Sequence, residues 1–199
     1  QAIWGRFFFH MVSLIIFFLI FKPKVNLKKN FKVQIIRSTL MVTATSFMFY
    51  SLQKFDLVDI YVVFFTAPLI VSLLSAYFLK DILTPKGIAL MLLSFGSIVY
   101  SLGPSMKILS LDLIFPIVPP ICWALYQFFT KVVSGDNDPF AAIFYTSILG
   151  AIIFSIFIFF NWVPLEKNIY WLYLTLLGVA GFVSHSLIIY AIQLSNLSF

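Results

Sequence analysis

Five hydrogen-bonding side chains, Thr39, Thr43, Ser46, Tyr50 and Gln53, recur at spacings of four, three, four and three. That sets all five on one face of a helix. Such a stripe can tie one helix to another, or hold a solute through hydrogen bonds. Ser186, Tyr190 and Gln193 repeat its lower part, with Gly178 and Gly181 upstream. Tyr50 and Tyr190 add large amphipathic rings, able to stack on a solute or close a passage while the hydroxyl stays bonded. Trp123, Tyr126, Gln127 and Thr130 form a third group near helical spacing. Rings with few fixed charges suit a neutral, zwitterionic or organic-cation solute, through stacking and cation–π contact. His185 adjoins Ser186; histidine titrates near neutral pH and can relay a proton, or simply hold a structural hydrogen bond. His10 has only apolar neighbours and a weaker claim. Two histidines and seven carboxylates show no clustered acid and base and no metal-ligand spacing, so enzymatic chemistry lacks a constellation.

The elements that position these residues are membrane helices. The chain is 62% hydrophobic and 10% charged, far below the charge content of about 25% usual in soluble domains. Ile60 to Leu79 is a run of twenty residues without a formal charge, and a helix needs about twenty to cross a hydrocarbon layer of about 30 Å. Further charge-free windows run from Phe7 to Phe21, Ser38 to Gln53, Gly87 to Met106, Leu113 to Thr130, Pro139 to Leu165 and Asn168 to Phe199. They predict seven spans, the last window breaking at Gln193, Ser195 and Asn196 where an eighth begins. Strands are excluded because the windows are too long and too evenly apolar for a barrel. Thr84-Pro85 and Asp138-Pro139 place a cap residue before a proline, predicting two helix starts. Asp81 and Asp112 read as interfacial carboxylates near helix ends. No Asp or Glu falls inside the windows, which disfavours ion coupling through a buried carboxylate. Cys122 reads as a small packing residue.

Lysine sets the orientation. Lys22, Lys24, Lys28, Lys29 and Lys32 crowd one loop, with Arg37 just inside the next span, so that loop is expected to be cytoplasmic. Alternation then leaves only Arg6, Lys54, Lys107 and Lys167 outside. The net charge of +6 is thus a topology signal and a contact with anionic headgroups, not a nucleic-acid footprint. Arg6 reads as a snorkelling anchor, with capture of a substrate carboxylate as the rival.

Pro68 interrupts the Ile60 to Leu79 run. Its missing N–H frees the carbonyl of Phe64 near mid-membrane, which Thr66 could satisfy, and a kink beside the Thr39 to Gln53 stripe is expected. Sliding the chain on itself by 140 positions pairs Ser46, Tyr50, Gln53 and Leu57 with Ser186, Tyr190, Gln193 and Leu197. A repeat displaced by five spans is inverted across the membrane.

The run FFTAPLIVSLLSAYFLKDILTPKGIALMLLSFGSIVY resembles the signature hairpin of EamA-like members of the drug/metabolite transporter superfamily: a central proline (Pro68), an acidic residue before a short turn (Asp81, where the family usually shows glutamate), and a following span punctuated by Gly87 and Gly96. The resemblance implies an all-α integral membrane protein, a polytopic helical bundle with seven of ten spans visible, built from inverted five-helix repeats. Residues 1–110 would hold spans two to five of the first repeat, and residues 111–199 spans six to eight and the start of nine of the second. Both ends of the chain then read as cut, and the rest of the gene is expected to carry a second hairpin with a proline 140 positions beyond Pro68. It further implies transport of small organic metabolites by alternating access in the cell inner membrane, with amino acids or related compounds as the expected substrates. The alternatives are an S-adenosylmethionine- or nucleoside-like solute carrier or a drug exporter and, in another class, a membrane-embedded lipid-modifying enzyme. Tyr50 and Gln53 would then gate the outer mouth, Tyr190 and Gln193 the inner one. Thr43, Ser46, Thr66, Pro68, Trp123, Tyr126, Gln127, His185 and Ser186 would line the cavity between. No cofactor or metal is implied; the partners are the lipid bilayer, the small-molecule substrate and, as a candidate assembly, a second copy of the chain.

Overall fold

In the computed structural model, residues 1–80, 84–102, 112, 114–133 and 139–194 are described. Helices follow the apolar runs: α1 Ala2–Phe21, α2 Phe31–Ser51, α3 Leu57–Phe64, α4 Ala67–Leu74, α5 Pro85–Leu102, α6 Ile114–Val132, α7 Pro139–Phe160 and α8 Ile169–Leu194. The described residues contain no strand. Four segments are long and apolar enough to cross a membrane by composition alone: α1, Leu57–Leu79, α7 and Ile169–Ile192.

The start at Thr84-Pro85 holds. The Thr84 hydroxyl accepts from the Gly87 N–H at 3.1 Å as α5 begins at Pro85. Asp81, Asp138 and the break at Ser195 lie outside the described residues. The third span opens earlier than its charge-free window, so Asp59 is buried in the first turn of α3. The expectation of spans free of carboxylates is corrected there.

Pro68 divides that span at Phe65–Thr66, so α4 restarts with the proline in its first turn, where no N–H is needed. Thr66 donates to the Val63 carbonyl at 2.7 Å, not to that of Phe64. A π-helical turn, Ser75–Leu79, ends the span. Pro68 is exposed and, with Phe65, Met91 and Ser94, lines a groove between α4 and α5. The helix packs chiefly on α6, so the expected kink beside the α2 stripe is not found.

Polarity is distributed inside out. His10, Gln34, Arg37, Ser38, Thr45, Ser72, Thr130, Thr146, Ser147 and His185 are buried, whereas Leu19, Phe21, Leu73, Tyr77, Phe78, Leu93, Phe157, Phe159, Phe160 and Leu187 lie on the exterior. Water would reverse this arrangement; hydrocarbon favours it.

The helix ends sort into two levels. At one, Lys54 Nζ pairs with Asp112 at 2.6 Å, the Gln1 side chain bonds the Val163 carbonyl, and Trp4, Trp162 and Trp171 cluster with ring centroids 5.7 to 6.4 Å apart. Tryptophan favours such an interfacial position. At the other, lysine-rich end, Tyr145 Oη donates to the Leu27 carbonyl at 2.6 Å and Lys131 Nζ to that of Ile192 at 3.2 Å. Successive spans therefore alternate in direction.

Asp112 raises the pKa of Lys54 above its ordinary value, chiefly through their hydrogen bond. A raised lysine contributes stability in full below its unfolded pKa of about 10.4 and loses it as pH climbs through the folded value. Lys54→Met should therefore melt slightly lower than the parent at pH 7, and the two should converge above pH ~10.4. The pair is exposed, so raising the salt concentration should narrow the gap at pH 7.

Tight packing of α1 on α8 rests on small residues, as expected where lipid supplies no hydrophobic drive between helices. A Cβ at Gly178 would lie 2.3 Å from Phe9 Cβ and 2.8 Å from the His10 backbone nitrogen. Because backbone stands in the way, Gly178→Ala should force the helices apart and cost about 1–3 kcal/mol. Thermal melting in detergent would show it; an unchanged midpoint would mean that this crossing has slack.

Candidate functional site

A cavity of about 420 Å³ lies between α1, α2, α3, α6 and α8. It runs from Leu52 at the tryptophan end to Met41 and Trp123, which sit halfway along their helices. Tyr61, Phe64 and Trp123 form aromatic walls, Met41 and Met48 pliant ones, and Thr45 offers a hydroxyl. Arg6 is the one charged residue among those lining it. Its side-chain stem runs toward mid-membrane, since a Cβ on Gly181 would lie 3.9 Å from its Cγ.

Beneath the cavity lies a buried polar chain. Trp123 stacks on Tyr126 with ring centroids 5.6 Å apart. Tyr126 Oη is 2.7 Å from His185 Nε2 and accepts from Arg37 Nη2 at 3.2 Å. The Tyr126 hydroxyl and His185 Nε2 share one hydrogen bond, and which of them donates depends on the imidazole tautomer. Arg37 Nη1 donates to Gln34 Oε1 at 2.8 Å, and the guanidinium carbon stands 5.0 Å from the Tyr126 ring centre. The His10 and His185 rings meet edge to face with centroids 5.8 Å apart. Arg37 Nε, Gln34 Nε2 and His10 Nε2 are buried without a hydrogen-bond partner. Thr130 caps the Tyr126 carbonyl at 2.6 Å.

Of the residues singled out from sequence, Trp123, Tyr126 and His185 come together here. The α2 stripe does not. Thr39, Tyr50 and Gln53 are exposed and Thr43 and Ser46 only half-buried. The face that packs inward carries Gln34, Arg37, Ser38, Met41 and Thr45, on the other side of the helix. Thr39 and Ser46 donate to the carbonyls of Ile35 and Val42, four residues back in their own helix, so neither needs the interior. Ser186 does the same with Phe182. Tyr50 rests on Phe115 with ring centroids 4.5 Å apart, and Tyr190 on Phe140 at 6.0 Å. Gln127 is half-buried and does not border the cavity; Gln193 lies within α8. Pro68 lines the α4–α5 groove, Thr66 bonds within its own segment, and neither borders the cavity.

Sequence reading missed Gln34 and Arg37 and undervalued His10. Arg37 reads as one more positive-inside marker, yet it lies six residues into α2 and is 1% exposed. An arginine so far inside a span, with Gln34 one turn before it, was a usable signal.

This fold and site define a polytopic helical membrane protein with a solute-sized cavity that reaches its centre. The chain belongs to the EamA-like transporter family, whose model matches residues 1–103 and 111–199. It is therefore a membrane transporter of the drug/metabolite superfamily. Among curated proteins nothing matches it.

Proposed function

We propose that this transporter carries small organic carboxylates, amino acids or related metabolites with large apolar side chains, by alternating access. The observation behind this reading is the solitary positive charge of Arg6 in a cavity whose lining contains aromatic, thioether and hydroxyl groups but no carboxylate. A guanidinium forks onto a carboxylate, while rings and methionines accommodate varied apolar side chains. An organic cation would meet Arg6 as a like charge. The positive-inside rule makes the lysine-rich end cytoplasmic, so the cavity faces outward.

Alternating access is supported by the way the helices pair. An offset of 140 places α1 on α7 and α2 on α8. Under that exchange the α1–α8 contact becomes the α7–α2 contact, and both are extensive in the structure. Residues 1–110 and 111–199 are read as parts of two inverted halves, which can exchange conformations and move the opening from one face to the other.

The test is uptake of labelled leucine and phenylalanine into liposomes carrying the protein. Saturable uptake above protein-free liposomes, competed by other neutral amino acids, is the expected result. Transport of nucleosides or organic cations with no amino-acid flux would overturn the substrate class.

A further inference from the structure

Under the same 140-residue offset, the residues around the outer cavity have images at the lysine-rich end. Arg6, Thr45, Met48, Leu52 and Leu177 correspond to Thr146, His185, Ile188, Ile192 and Arg37. In the outer set, Leu52 is 41% exposed and the space is open. In the inner set, Arg37, Thr146, His185 and Ile192 are all buried. Ile192 closes the way by packing with Val71 and Ala124, flanked by Ile70, Leu79 and Ile188. The two ends thus carry corresponding positions in opposite states, one open and one shut.

Arg37 stands out within the shut half. A buried guanidinium is costly unless it is paired and its donors are used. Among the described residues no carboxylate bonds it, and its partners are Gln34 Oε1 and the Tyr126 hydroxyl. Its Nε and the Gln34 Nε2 remain without acceptors, on neighbouring turns of one helix face. These are two buried donors from adjoining side chains, one of them on the charged guanidinium itself. The chemistry that satisfies them is an anionic oxygen pair.

We propose that Arg37 and Gln34 form a second carboxylate-binding station, which receives the solute when the Val71–Ala124–Ile192 plug parts and the lysine-rich face opens. It rests on the transport reading above and adds the residues that hold the solute on the inner side. Trp123 and Tyr126 then separate two arginines of like task. Arg6 serves the outer opening and Arg37 the inner one. In the outward-facing state Tyr126 and Gln34 hold the Arg37 fork in place, and its unused donors wait for the solute.

The experiment measures half-saturation for labelled leucine from each face, in proteoliposomes sorted by orientation. Arg37→Gln should raise it about 10-fold or more at the lysine-rich face, the size of a lost charge-assisted bond, and leave it within about twofold at the tryptophan face. Arg37→Lys should fall between, since it keeps the charge without the fork. Arg6→Gln should show the reverse asymmetry. An equal change at both faces, or none at either, would overturn the second station while leaving leucine transport intact. Absence of leucine flux in the parent protein would instead bring down the transport reading and this one with it. Should Arg37→Gln fail to fold, Ile192→Cys in a Cys122→Ser background supplies the second measurement. A membrane-impermeant maleimide should label it from the lysine-rich face during leucine turnover, and protection throughout turnover would overturn the proposal.

Discussion

Arg6→Gln is expected to raise the external KM for neutral amino acids about 10- to 100-fold with little change in maximal rate. Hydrogen bonds to charged groups contribute about 1.5–3 kcal/mol, and the cavity lining offers no other cation to take over. The low polarity of walls formed by Met41, Met48, Phe49, Phe64 and Trp123 strengthens the attraction relative to open water. Glutamine keeps a donor but removes the charge and the fork. Arg6→Lys keeps the charge alone and should recover part of the affinity. Initial-rate uptake over a range of leucine concentrations would decide it. A KM within about twofold of the parent, against the size of a charged bond, would return Arg6 to the role of a snorkelling anchor and remove the main support for a carboxylate substrate.

Tyr126→Phe should produce the largest loss of stability among conservative changes to the polar chain. Its hydroxyl accepts from Arg37 and bridges to His185 Nε2. Phenylalanine preserves the stack on Trp123, so the loss isolates the oxygen. Arg37 would be left with one of its two bonds, and His185 Nε2 would lose its partner. A buried charge deprived of a partner costs more than a neutral group does, and about 2–4 kcal/mol is expected. For a chain of this length that lowers the melting midpoint by roughly 4–16 °C. Scanning fluorimetry in detergent would measure it. A midpoint close to that of the parent would mean that Arg37 finds another acceptor, and that Tyr126 serves the aromatic floor of the cavity rather than the chain beneath it.

Much of the scaffold was legible because it depends on local quantities. A run such as Ile60 to Leu79 must pair its own backbone groups in lipid, and only a helix allows this within one segment. Pro85 marks a helix start because a proline lacks the N–H that the first turn leaves unused. Half of the site was legible too: Trp123, Tyr126 and His185 are large groups with polar atoms, and such groups in a span need partners.

The inward face of α2 was not legible from spacing. Thr39, Ser46 and Ser186 look polar in a sequence, yet each satisfies its hydroxyl within its own helix. They impose no direction. Arg37 and Gln34 cannot do so fully, and the side that buries them is set by where α6 brings Tyr126. The same holds for His10, whose sequence neighbours are apolar but whose spatial neighbour is His185.

The sequence alone determined the solvent, the helical class, the alternating direction of the spans and the family, because these follow from the length of apolar runs, from proline and lysine placement, and from one contiguous hairpin. Only the tertiary structure decided which polar groups meet. Arg6 came to face the cavity, Arg37 to sit sealed beneath it, and Pro68 to turn toward α5, because those outcomes depend on which side of each helix its neighbours cover.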